Sequence, residues 1–257
     1  MRWDPGQYRR YADLRGRPFV ELTGRIAAEA PSYVVDLGCG TGELTAMLAE
    51  RWPRATVVGV DSSPDMVGAA QAHAIEGRLS FECVDLRDWR PARAVDVVTA
   101  NAVLHWVPDH LDLLGDVVSR LAPQGWLAFQ VPDNFTEPSH TLLHDLRLSP
   151  RWQDRLGEGA DRTAGVERPE TYLRALVGLG LEADVWQTTY TQVLQGEDAV
   201  LEWVKGTALR PVLSLLDDEA ERKEFLEEYA AALRDAYPAE PWGTVFPFRR
   251  TFAVAQR

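Results

Sequence analysis

A chain of 257 residues, 46% of them hydrophobic and 26% charged, has the balance of a globular protein with room for one large domain. A net charge of −12 argues against nucleic acid as a partner, and two cysteines are too few for a disulfide framework or a zinc site. No apolar run is long enough to span a membrane, and the opening MRWDPGQYRR has no apolar signal stretch, so a cytoplasmic protein is expected.

In chain order, a helix is expected over 17–28, ahead of a strand at 33–37 (YVVDL). Short apolar runs then alternate with amphipathic stretches: strands at 56–60, 79–84, 95–100 and 126–131, helices near 42–51, 64–74 and 110–121. LAPQG (121–125) is expected to stop the last of these helices, with Gly125 in a left-handed C-cap position. Two further strands, 183–194 and 246–257, are separated by helical patterns at 197–205 and 217–236 with a break at ALRPVL. The expectation is α/β: a doubly wound, mostly parallel seven-stranded sheet in a single domain over 1–257. Residues 31–135 form its core, with helical cap segments at 1–30 and 195–240.

Ligands of open α/β sheets sit at the carboxyl ends of the strands. VVDLGCGTGE runs from the first strand into a turn with glycines at Gly38, Gly40 and Gly42. The spacing is G-x-G-x-G rather than the dinucleotide G-x-G-x-x-G, and Glu43 suits a pyrophosphate poorly. Asp61 ends the second strand in GVDSS, where a carboxylate can accept from both ribose hydroxyls, a placement that alone would also suit NAD. Asp85 follows the third in CVDLRDW, where it accepts from an adenine amino group, with the Leu86 N–H directed to a ring nitrogen. Asn101 follows the fourth strand in TANAVLHW.

This set resembles the class I S-adenosylmethionine-dependent methyltransferases, with DLGCGTG, VDSS, VDLRDW and ANAVLHW in order over roughly 33–131. The resemblance implies a Rossmann-like fold, S-adenosylmethionine as cofactor and no metal. Its implied cofactor residues are Asp36, Gly38, Cys39, Gly40, Asp61, Ser62, Asp85, Leu86 and Asn101, with Asp36 orienting the loop and favouring the cationic methionyl end.

For the acceptor, the turn after the fourth strand reads NAVLHW and lacks the prolines of an N-P-P-Y-like turn, which disfavours methylation of amino groups. A phenol or alcohol would need a base, for which His105 is the candidate. A carboxylate acceptor needs none, being ionised near neutral pH, but needs arginines to hold it. Arg15 and Arg17 precede the first helix, Arg210 lies in GTALRPVL, and Arg249 and Arg250 alternate on the last strand. LRGRPFVELTGRI, SPDMVGAA, NAVLHWVPDH, QVPDNFTEPSH and WVKGTALRPVL together resemble the trans-aconitate 2-methyltransferases over nearly the whole chain. That likeness implies esterification of one carboxylate of trans-aconitate or a close di- or tricarboxylate, a small anionic substrate. Arg15, Arg17, His105, Trp106, Asn134 and Arg210 are the expected acceptor contacts. His140 is a further candidate, and Tyr8 and Tyr11 are candidates for closing the N-terminal segment over the cofactor. Three rivals remain open: methylation of an uncharged phenol with His105 as base, a module that senses S-adenosylmethionine without transferring its methyl and, more distantly, a nicotinamide oxidoreductase. Nothing in the sequence indicates an obligate protein partner.

Overall fold

The structure, a computed structural model, describes residues 12–157 and 165–257, with side chains from residue 16 onward. Tyr8, Tyr11 and the Arg15 side chain lie outside that description.

The strands form one sheet, in the order β3 (Leu79–Cys83), β2 (Thr56–Asp61), β1 (Tyr33–Leu37), β4 (Val95–Asn101), β5 (Leu121–Pro132), β8 (Gly243–Gln256), β6 (Glu182–Leu194). The seven expected strands are all present, and a two-residue strand, β7 (Ala239–Glu240), pairs antiparallel with β8. The pairs β1–β2, β1–β4, β2–β3 and β4–β5 are parallel. Every residue of β1 is buried, as a parallel strand covered on both faces requires, which is why YVVDL reads as an unbroken apolar run. The strand order reverses between β1 and β4, so the end of β1 is the topological switch point.

The chain divides into two compact units, and β5, β6 and β8 each contribute residues to both. The first unit comprises the chain up to Val131 with Val166–Gln187 and Thr251–Arg257. In it, α1 (Ala12–Gly24), α2 (Glu43–Arg51), α3 (Pro64–Ala70), α4 (His110–Ser119) and α7 (Pro169–Gly178) accompany the parallel strands. Leu113, Leu114 and Val117 of α4 and Tyr172 and Leu176 of α7 join Val35, Val98 and Phe129 in its core. The N-terminal segment is anchored here: Phe19, Leu22 and Ile26 are buried, and the Trp52 indole donates to the Ala28 carbonyl. Arg25 pairs with Asp184 at 2.6 Å and lies 3.9 Å above the Trp186 ring.

The second unit, Pro132–Gly165 with Thr188–Arg250, holds α5 (Pro138–Arg147), α6 (Gln153–Leu156), α8 (Ala199–Lys205), α9 (Leu209–Leu213) and α10 (Glu219–Ala236). Asp218 caps α10 by accepting from the Ala220 and Glu221 amides. Tyr229 of α10 donates to the Ser139 carbonyl, Tyr237 accepts from the Ser139 amide, and Trp152 meets Phe225 edge-on at 5.2 Å. Trp203, Phe246 and Phe248 form an aromatic cluster with Tyr237.

One expectation is corrected. The fourth helix ends at Ser119, and Leu121 already pairs with Val95, so LAPQG is strand with a bulge rather than a helix stop. Gln124, not Gly125, takes the left-handed backbone at φ 62°. Glycine is needed at 125 for another reason: a Cβ there would lie 2.8 Å from the Ala122 carbonyl oxygen and 2.9 Å from that of Val95.

Candidate functional site

At the switch point the chain leaves β1 through Gly38, Gly40 and Gly42, all at positive φ (73°, 56° and 86°). The Gly38 and Cys39 amides donate to the Val60 carbonyl at 2.7 and 3.0 Å, which folds the turn over the end of β2. A Cβ on Gly38 would sit 2.5 Å from that of Val103, so close passage as well as backbone angle demands glycine there.

Two carboxylates fix this turn from opposite sides. Asp36 is buried, and its oxygens accept from the Thr45 hydroxyl on α2 (2.6 Å) and the Thr99 hydroxyl on β4 (2.7 Å). Through these two bonds Asp36 ties β1 to α2 and β4. Burial pushes its carboxyl up to about 6, against the pull of the two hydroxyls. Asp61 accepts from the Gly40 amide through Oδ2 (3.0 Å) and from the Ser63 amide through Oδ1 (2.9 Å). Burial raises its carboxyl too, opposed by those backbone donors. The Ser62 amide also stabilises the Asp61 carboxylate, which still has acceptor capacity for a ligand.

A cleft of about 140 Å³ opens here. Gly38, Asp61, Ser62, Asp85 and Leu86 all line it, so the glycine turn and the two acidic strand ends named from sequence converge. Trp106, expected at the acceptor, lines this same cleft, together with Val103, Val107 and Pro108. Asp85 is held by Arg87 through two side-chain bonds of 2.9 and 2.8 Å, and this fork draws its carboxyl down to about 2. Cys39 and Gly40 belong to the turn itself, and burial pushes the Cys39 thiol up. The Asn101 side-chain oxygen accepts from Gln130 at 2.7 Å, which sets its amide at the end of β4.

The wall residues Val103, Val107, Pro108 and Arg87 were not foreseen. The signal for Val103 was available only in combination, because it explains the missing Cβ at Gly38. His105 is buried with its ring 4.8 Å from that of Trp106, beside the cleft wall. The first helix runs over Ala12–Gly24 rather than 17–28, so positions 15 and 17 lie within it rather than ahead of it; Arg17 is exposed there and pairs with Glu21 at 2.9 Å. Asn134 and Arg210 lie in the second unit. Asn134 is buried and accepts from the Arg249 amide at 2.8 Å, while Arg210 is half-buried in α9. The Arg249 guanidinium is committed to Asp133 and Thr136, and Arg250 lies 4.6 Å over the Phe248 ring. His140 bonds to the Ser139 hydroxyl, and burial lowers it to about 4. Among the described residues no group of three or more His, Cys, Asp or Glu could hold a metal ion, and no helix is long and apolar enough to cross a membrane.

Comparison with known proteins matches residues 8–176 to the family model described as a methyltransferase domain. A trans-aconitate 2-methyltransferase of Streptomyces avermitilis is 51% identical over 261 residues, covering 99% of this chain and 97% of that protein. Its counterparts in Rhodococcus jostii and Mycobacterium tuberculosis are 48% and 45% identical, each covering 99% of this chain and 99% and 96% of their own lengths. Among solved structures, the YcgJ protein of Bacillus subtilis superposes with TM-score 0.60 at 14% identity, over 94% of this chain and 98% of that one. A mycolic acid cyclopropane synthase complexed with S-adenosylhomocysteine gives 0.57 at 12%, over 94% of this chain and 83% of that one. The structural likenesses establish the methyltransferase fold, and the sequence identities place this chain in the trans-aconitate 2-methyltransferase family.

Proposed function

We propose that the chain is an S-adenosylmethionine-dependent O-methyltransferase that esterifies one carboxylate of trans-aconitate, or of a close di- or tricarboxylate. The observation that carries the cofactor half is the convergence of Gly38, Asp61 and Asp85 on one cleft. The acceptor half rests on the relatives, whose printed names specify trans-aconitate.

The cleft fits the cofactor by its donor set. The remaining acceptor capacity of Asp61 suits a ribose hydroxyl, Asp85 suits an adenine amino group, and Val103, Trp106 and Val107 supply an apolar wall for a purine. Gly38 lets backbone approach the ligand where a side chain would intrude. When bound, S-adenosylmethionine supplies an electrophilic methyl group on its sulfonium.

The protein's part is binding, alignment and exclusion of water, which together supply as much as ~7–11 kcal/mol of a barrier. A carboxylate is already ionised near neutral pH, so no side chain need remove a proton, and His105 has no role as base. Arginine forks suit the acid's charges, a role that the family resemblance gives to Arg210, Arg15 and Arg17. Asn134 adds an amide to the acceptor set.

An acceptor panel tests this reading. Purified protein with S-adenosylmethionine should release S-adenosylhomocysteine with trans-aconitate, more slowly with cis-aconitate or citrate, and not with a neutral phenol. Turnover confined to the phenol would overturn it, and cofactor binding without turnover on any acceptor would favour a sensing role.

A further inference from the structure

The turn after β3 contains an arrangement that cofactor binding alone does not require. Asp85 Oδ1 accepts from the Arg87 backbone amide and from Arg87 Nε, both at 2.9 Å, while Oδ2 accepts from Arg87 Nη2 at 2.8 Å. The turn is closed by the Asp88 amide donating to the Asp85 carbonyl at 2.9 Å, and Arg90 Nη1 donates to the Arg87 carbonyl at 3.0 Å. Asp85 and Arg87 both line the cleft.

A carboxylate offers about four acceptor sites, two on each oxygen. Arg87 fills both on Oδ1 and one on Oδ2, so a single acceptor remains, on Oδ2. The fork also fixes the plane of the carboxylate, as a bidentate guanidinium does and a lone ammonium does not. As a stabilising contact the pair counts for little, because the two side chains are 65% and 36% exposed. What it changes is the number and direction of acceptors that Asp85 presents.

We infer that Arg87 is a positioning residue that turns Asp85 into a one-acceptor reader, selecting a purine with a 6-amino group over one with a 6-oxo group. The inference rests on the proposed reading of the cleft as an adenosine site. A 6-amino donor completes the last site on Oδ2, whereas a 6-oxo acceptor faces a carboxylate that cannot rotate away. Without the fork, Asp85 can turn toward solvent and the penalty for the oxo group relaxes.

The test is calorimetric binding of S-adenosylhomocysteine and of its 6-oxo analogue, S-inosylhomocysteine, to wild type, Arg87→Ala and Arg87→Lys. Wild type should prefer the amino ligand by about 10- to 100-fold, the value of one hydrogen bond to a charged group. Arg87→Ala should lower that preference about tenfold, by weakening the amino ligand and relaxing the penalty on the oxo ligand, and Arg87→Lys should follow it, since charge without the fork does not restore the geometry. A preference unchanged in Arg87→Ala would overturn the inference while leaving the cofactor assignment intact. A wild type that binds neither ligand would overturn the assignment of the cleft and the inference with it.

Discussion

Asp36→Asn separates the charge of the buried clamp from its hydrogen bonds. The two threonine hydroxyls that donate to Asp36 can reorient, one donating to the amide oxygen and the other accepting from the amide nitrogen, so the tie between β1, α2 and β4 persists. What disappears is a titrating group whose carboxyl rises from 3.8 to about 6 on folding. A carboxyl raised by folding stabilises the protein fully below its unfolded value, and that contribution is lost as pH rises through the folded one. At ~1.4 kcal/mol for each tenfold change in proton affinity, the ionised Asp36 costs about 3 kcal/mol well above pH 6 relative to well below pH 4. Urea unfolding of wild type and Asp36→Asn across pH 4 to 7.5 measures this directly. The stability difference should grow in favour of the variant by about 2 kcal/mol between pH 4 and pH 6 and level off above about pH 7. A difference that stays flat with pH would refute the assignment of Asp36 as a buried ionised clamp.

The other tests address the cleft and the acceptor. Gly38→Ala should lower stability by about 2–4 kcal/mol, from positive φ and collision with Val103, as measured by urea unfolding. Adding Val103→Ala should recover little, because the Val103 Cβ itself is one of the atoms at 2.5 Å. Trp106→Ala should weaken S-adenosylhomocysteine about tenfold in calorimetry, through loss of an aromatic wall, with kcat on trans-aconitate less affected. His105→Ala should keep substantial activity with an unchanged pH profile. Arg210→Ala should chiefly raise KM for the acid, by about 10-fold or more in steady-state kinetics, as loss of a charge-assisted bond requires.

The parallel core was legible because its strands are covered on both faces: Val34, Val35, Val57, Val58, Val97 and Val98 form continuous apolar runs that only a buried strand explains. The glycine turn and Asp61 were equally plain, since both sit at strand ends where ligands of this architecture bind. The bulge at 121–125 was hidden, because a proline and a glycine after a helix carry the same local signal as a helix stop. Only the register between Val95 and Leu121 distinguishes the two. Helix α7 was passed over although Pro169 at its first turn and Tyr172 and Leu176 four residues apart announce it. The second role of Trp106 and the Arg87 fork depend on how β3 and β4 end side by side with β1 and β2, which no local pattern encodes.

The most direct test of carboxylate methylation is the mass and base-lability of the product formed from trans-aconitate and S-adenosylmethionine. The expected product is heavier than the acid by one CH2, appears in equal amount with S-adenosylhomocysteine, and returns to trans-aconitate under mild alkali, as a methyl ester must. A methylated product stable to alkali, or none despite tight S-adenosylhomocysteine binding, would contradict it.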